Sequence, residues 1–194
     1  MQELYFPEAI VLDREDANGF DSRYSIYAKG FGKFLAKATS ARKITSKLAG
    51  HLEPGNLVKI RVVGNGNFQV VDVLKSSKIE VRCSDLYLLN QMLPEQDFEF
   101  AIWQELMNVR DDRIDRGDIN DRSEGSKFSW TKVLKILGWD PEHAVCEQCG
   151  EGKVTRFKIG SQSFSCQDCF STQMVSTRKF LSGRTSEFVT LSEA

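Results

Sequence analysis

No stretch of this 194-residue sequence approaches the roughly 20 consecutive apolar residues of a bilayer-spanning helix. The first residues, Met1-Gln2-Glu3-Leu4-Tyr5-Phe6-Pro7, lack both the basic start and the apolar centre of a secretory leader, so a cytoplasmic protein is expected. There is no Gly-Lys-Ser/Thr phosphate loop. The pair Gly30 and Gly32 lacks the third glycine, and the helix after it, that a dinucleotide site needs. No internal repeat is present. Histidine occurs only twice, and His51 has no Ser, Cys or carboxylate nearby in sequence that would complete a triad, so it reads as a loop histidine. The one dense carboxylate group, Asp111 to Asp121, lies in a run of Asp, Arg, Asn, Gly and Ser that reads as a solvated loop spanning Asp111–Gly125. A nuclease or deaminase needs an open metal position or carboxylates gathered at a cleft. The sequence offers neither, so no catalytic residue is assigned, and neither a small-molecule substrate nor a membrane is expected as a partner.

What is present is an ordinary soluble composition, 41% hydrophobic and 27% charged, with room for one domain or two small ones. The formal net charge of −1 conceals a gradient. Residues 1–80 carry 12 Lys/Arg against 9 Asp/Glu, and residues 81–194 carry 14 against 18. A polyanion would be drawn to the first part.

The pattern divides at the same place. Residues 1–80 read as short strands parted by turns: Ala9–Asp13, Tyr24–Lys29, Lys33–Thr39, Leu57–Val63 and Phe68–Leu74. Asn18-Gly19-Phe20-Asp21 and Gly64-Asn65-Gly66-Asn67 are the turn signals, and Ser40–Gly55 is a basic loop or short helix. Five strands with that interruption predict a small closed barrel of the oligonucleotide-binding (OB) type, with another small barrel or half-open sheet as the alternative. Residues 81–194 turn helical. Pro94 and Glu95 suit a first turn followed by Phe98, Ile102 and Leu106 at four-residue spacing. Ser129–Leu137 carries the stripe Trp130, Val133, Leu134 and Leu137 before Gly138 stops it. Cys166–Leu181 reads as a last helix ending at Gly183. The fold class expected is α+β, a five-stranded barrel over 1–80 and a helical domain over 81–194.

That helical part carries the sharpest chemical signal. Cys146-Glu147-Gln148-Cys149 and Cys166-Gln167-Asp168-Cys169 are two C-x-x-C turns separated by 16 residues. Each turn aims two thiolates at one point, and two turns complete a tetrahedron of soft ligands suited to one zinc ion. Four thiolates leave no position for water or substrate, so the zinc is expected to be structural. An iron–sulfur cluster is the alternative for the same ligands. Gly150 supplies the backbone freedom such a turn needs. Lys153, Arg156 and Lys158 would offset the thiolate charge. The fifth cysteine, Cys83, has no partner at ligand spacing and reads as a small buried residue. His143 is the one substitute ligand within reach of the first turn.

The second signal is electrostatic. Between Lys29 and Lys47 lie six cations, Lys29, Lys33, Lys37, Arg42, Lys43 and Lys47, and no acid. Cations grip phosphates and aromatic faces stack on exposed bases, so these six are the candidate DNA-binding residues, with single-stranded DNA as the ligand. Phe31 and Phe34 interleave with them, but core burial is the better reading for both.

Two stretches together resemble the RecO family of bacterial recombination mediators. The first is Gly32-Lys33 with Ala41-Arg42-Lys43-Ile44-Thr45-Ser46-Lys47-Leu48-Ala49-Gly50-His51-Leu52-Glu53-Pro54. It is similar to that family's basic strand and loop. The second is Phe128 and Lys132-Val133-Leu134-Lys135-Ile136-Leu137-Gly138-Trp139-Asp140-Pro141, followed by the cysteine turns. It is similar to the family's helix, corner and zinc module. The chain would be a short form, reduced between barrel and knuckles. The resemblance implies a non-enzymatic protein of DNA repair and recombination. Such a protein binds single-stranded DNA, anneals complements and assists recombinase loading, with RecR and single-strand-binding protein as partners. Phosphate contacts would fall on Lys33, Lys37, Arg42, Lys43 and Lys47. The alternative function is an RNA-binding or ribosome-associated module, since barrels and zinc ribbons also serve RNA.

Overall fold

The computed structural model describes residues 2–109, 128–177 and 188–191. The loop expected over Asp111–Gly125 and the helix end expected at Gly183 lie outside them. Two compact units are present, Met1–Phe128 and Ser129–Ala194.

In the first unit, strands β1 (Gln2–Asp16), β2 (Ser22–Ala28), β3 (Gly32–Ala38), β4 (Asn56–Gly64) and β5 (Phe68–Lys78) close into a barrel. All five expected strands are present, each longer than or offset from its sequence bounds by a few residues. The order around the barrel is β1-β2-β3-β5-β4, with β4 returning to β1. β1 is long enough to pair with β2 on one side and β4 on the other, and its register shifts between Phe6 and Ala9, at Pro7. Proline has no N–H for the ladder, so the irregularity falls where pairing is chemically impossible. Further shifts in β1–β2 and β4–β5 supply the curvature that closing five strands demands.

Inward residues alternate along each strand: Tyr24, Ile26 and Ala28 on β2; Phe34, Ala36 and Ala38 on β3; Val58, Ile60 and Val62 on β4. Phe6, Phe31, Phe34 and Phe68 gather at tilted and edge-on angles, with neighbouring ring centroids 5.1–6.2 Å apart. Phe34 is buried as expected, whereas Phe31 is only partly buried and packs against the edge of that core.

Helices α1 (Cys83–Met92) and α2 (Phe100–Asn108) belong to this unit rather than to a second domain starting at residue 81. The segment joining them is sewn onto β2 and β3. The Gln96 N–H donates to the Lys33 carbonyl at 2.7 Å, and the Tyr27 hydroxyl both accepts from the Glu99 N–H (2.9 Å) and donates to the Glu99 carbonyl (3.0 Å). Tyr27 also stacks on Phe98 at 5.7 Å. Burial of its hydroxyl pushes the Tyr27 pKa up to about 12. A change of hydrophobic period marks where helices begin but not what they pack on.

The helical start expected at Pro94 moves to Phe100. The backbone N–H of Gln96 is spent on β3, Gln96 takes φ 55°, and the Glu99 side chain caps α2 through Ala101 N. Ile102 and Leu106 are buried four residues apart as the spacing requires. Cys83 is exposed in the first turn of α1, against the burial expected of it.

The second unit holds α3 (Trp130–Ile136), the hairpin β6 (Arg156–Lys158) and β7 (Ser163–Ser165), α4 (Gln167–Thr177) and β8 (Phe188–Thr190), with sheet order β7-β6-β8. α3 ends as its sequence dictates: Gly138 takes φ 93° and the Trp139 N–H turns back to the Leu134 carbonyl at 2.8 Å. Phe157 is fully buried between Trp139 and Phe164, with centroids at 5.4 and 4.9 Å. No helix among the described residues is long and apolar enough to cross a membrane.

Candidate metal centre and nucleic-acid interface

The four cysteines arrive at one point from two local structures. Cys146 and Cys149 occupy a turn closed by the Gly150 N–H donating to the Cys146 carbonyl (2.9 Å), with Gly150 at φ 74°. The Glu147 N–H donates to the Phe164 carbonyl at 3.0 Å and fastens this turn to β7. Cys166 immediately precedes α4 and Cys169 lies in its first turn, with the Cys169 N–H directed at Cys166 Sγ (3.4 Å). A helix N-terminus presents unpaired N–H groups that favour an anionic sulfur.

All four Sγ atoms lie within 4.8 Å of one another, and Cys149 Sγ and Cys166 Sγ are 3.7 Å apart. A tetrahedral ion with metal–sulfur bonds of about 2.3 Å sets its sulfurs about 3.8 Å apart. The cluster therefore has the donor set and the spacing to hold one metal ion. Its electrostatics point the same way. Backbone N–H groups of Cys166 and Cys149 lower the Cys146 pKa to about 6, whereas hydrogen bonding with Cys149 and Cys166 pushes Cys169 up to about 12. Cys149 is also raised. A bound cation would favour the thiolate form of its cysteine ligands.

Of the three cations between the turns, Lys153 lines the cysteine site, while the other two lie over aromatic rings. The Arg156 guanidinium lies over Phe170 at 5.1 Å, and Lys158 Nζ over Phe188 at 5.8 Å. His143 pairs with Asp140 at 3.0 Å, and the cysteine cluster is complete without it.

The six candidate DNA-binding cations fall into different settings. Lys29 pairs with Glu8 at 2.5 Å. Lys33 extends to the Asn90 carbonyl at 2.7 Å, and burial lowers its pKa. Lys37 pairs with Asp21 at 2.8 Å. That partner, joined by the Ser40 N–H, holds the Asp21 carboxyl below its usual range. Arg42 pairs with Asp16 at 2.7 Å and also donates to the Ala17 and Gly19 carbonyls. Lys43 and Lys47 are exposed, and neither makes an ion pair among the described residues. The absence of acids within 29–47 concealed these partners, because every one of them comes from another strand or loop.

The β1–β2 loop (residues 17–21) and the β3–β4 loop (39–55) meet at one place. The Arg42 N–H donates to the Phe20 carbonyl at 2.9 Å and the Ser40 N–H to Asp21 Oδ1 at 2.8 Å. Lys43 Nζ stands 5.9 Å from the Phe20 ring centroid. Sequence reasoning took Phe20 only as part of a turn, although a large aromatic inside Asn-Gly-Phe-Asp was itself a signal.

No family model matches the sequence. The chain is similar to the DNA repair protein RecO of Bifidobacterium adolescentis, 24% identical over an alignment of 159 residues. That alignment takes in 76% of this chain and 65% of the relative, so less than two thirds of that protein's length is matched.

Proposed function

We propose that this chain is a DNA repair and recombination mediator that binds single-stranded DNA, promotes annealing and assists recombinase loading. The observation that carries the reading is the meeting of the two loops at one end of the barrel. Cations and an exposed aromatic lie there on hydrogen-bonded loops, which is the equipment single strands need. The strand order β1-β2-β3-β5-β4 supports reading the barrel as one of the OB type, a class whose loops bind oligonucleotides. The likeness to a protein named for DNA repair supports the same assignment.

Annealing needs little chemistry. Cations that screen phosphate repulsion between two strands, while leaving base edges free, would be enough. The cysteine cluster is assigned to one zinc ion with a structural role, because four thiolates close its coordination and leave no place for substrate. RecR, single-strand-binding protein and a cytoplasmic location belong to this proposal.

The test is fluorescence anisotropy of labelled single-stranded DNA, duplex DNA and single-stranded RNA across a salt series. Tight, salt-sensitive binding of single-stranded DNA, followed by accelerated annealing of complements, is the expected result. Preference for RNA would transfer the reading to an RNA-binding module. No binding at low salt would end the nucleic-acid assignment.

A further inference from the structure

Phe20 is set apart from the other exposed aromatics by what holds it. An isolated exposed phenylalanine is common and means nothing by itself. Here the backbone on both sides of the ring is tied down while the ring is left 59% exposed. The Phe20 carbonyl accepts from Arg42 N, and the Arg42 guanidinium reaches the Gly19 and Ala17 carbonyls and the Asp16 carboxylate. The next residue, Asp21, takes the Ser40 N–H and the Lys37 ammonium. Gly19 supplies the φ of 67° that turns the chain at this point. A preorganised aromatic face costs little ordering entropy on binding.

Chemistry narrows what that face takes. In the barrel unit, Phe20 is the ring among the described residues that has a cation over it, Lys43. A lysine over a ring adds affinity for electron-rich surfaces and, on its long stem, can shift to a phosphate when a base arrives. Ile44, next in the loop, is fully exposed, and Lys47 follows three residues later without an ion pair among the described residues. Aromatic, apolar and cationic groups on one hydrogen-bonded loop pair match a strand whose bases and phosphates are both accessible. Duplex DNA hides its base faces and does not match.

We propose that Phe20 is the residue on which an unpaired base of single-stranded DNA stacks, with Lys43 and Lys47 serving the adjoining phosphates. The inference rests on the single-strand-binding reading above and adds the base-contacting residue to it.

The experiment compares the full-length wild type, Phe20→Ala and Phe20→Trp, using a labelled oligothymidylate and an abasic deoxyribose-phosphate strand of the same length. Because the ring is largely exposed, all three proteins should melt alike. Wild type should prefer the oligothymidylate. Phe20→Ala should weaken that binding about 5- to 100-fold, leave the abasic strand unaffected, and keep the salt slope, since no charge is removed. Phe20→Trp should retain affinity, and its added fluorescence should be quenched by DNA. If Phe20→Ala binds oligothymidylate as wild type does, or loses both strands equally, the stacking assignment is overturned while single-strand binding stands. If wild type binds neither strand, both fall.

Discussion

Lys33 Nζ donates to the Asn90 carbonyl at 2.7 Å, so a cation of the basic segment spends its charge holding α1 to the barrel. Lys43 and Lys47, ten and fourteen residues further on, have no such tie among the described residues. Lys33→Ala should therefore lower unfolding stability by about 1.5–3 kcal/mol, the worth of a charge-assisted hydrogen bond, and leave the salt slope of DNA binding unchanged. Lys43→Ala with Lys47→Ala should do the reverse. Stability holds, and the slope of log affinity against log salt falls by about 0.7 for each phosphate no longer neutralised. Chemical denaturation beside salt-titrated anisotropy separates the two outcomes.

Gly32 stands where a side chain has no room. A Cβ there would collide with the Asp97 backbone, and its φ of 93° strains any L residue. Gly32→Ala should cost at least about 1–3 kcal/mol and loosen the α1–α2 segment. Tyr27 is the reporter: with its bond to Glu99 broken and its ring more exposed, its pKa should drop from about 12 toward the ordinary 10 in a spectrophotometric titration.

The loop clamp should open in acid. Asp21 has its carboxyl pKa held below 3.8, first by Lys37 and then by the Ser40 N–H. A depressed carboxyl pKa contributes stability that is present above 3.8 and disappears as the pH falls through the lower, folded value. Protection of the Ser40 amide, taken relative to its intrinsic exchange rate at each pH, should therefore hold above 3.8 and be lost as the pH falls through the lower folded value. In Asp21→Asn that pH dependence should be gone.

Metal loading should carry protons with it. Backbone N–H groups lower the Cys146 pKa while neighbouring thiols raise those of Cys149 and Cys169, so an ion that binds thiolates must expel protons from the raised pair. Isothermal titration in buffers of different ionisation enthalpy should register that release, and affinity should weaken as the pH drops. Cys166→Ser should reduce metal content from one ion per chain to none. Amide protection at Phe157, in β6, should go with it.

The sequence and the structure agree where one residue type has one use. Two C-x-x-C turns could do little else than converge, and strand alternation in Val58, Ile60 and Val62 announced an inward face. Gly138 after a helical stripe could only stop it. What the chain concealed was partnership across distance. Glu8, Asp16 and Asp21 lie outside the basic segment yet neutralise half of its cations. The attachment of α1 and α2 to the barrel depends on Tyr27 meeting Glu99, 72 residues away. The edge strand β8 was missed because three residues, Phe188–Thr190, are too few for a period to register.

Where β3 meets β5, the barrel is closed by a parallel pairing with two registered positions, Ala36 with Phe68 and Lys37 with Gln69. The antiparallel ladders elsewhere run over seven or eight registered positions. The barrel is thus a curled ribbon with a thin seam, and its cheapest excursion is to part there without unfolding. Native-state exchange should find the seam amides opening well before those of β1 and β4. Lys37 sits on that seam and also pairs with Asp21, so one side chain ties the barrel wall to the loop pair. A strand captured across those loops would act as a stitch, slowing exchange at residues it never touches.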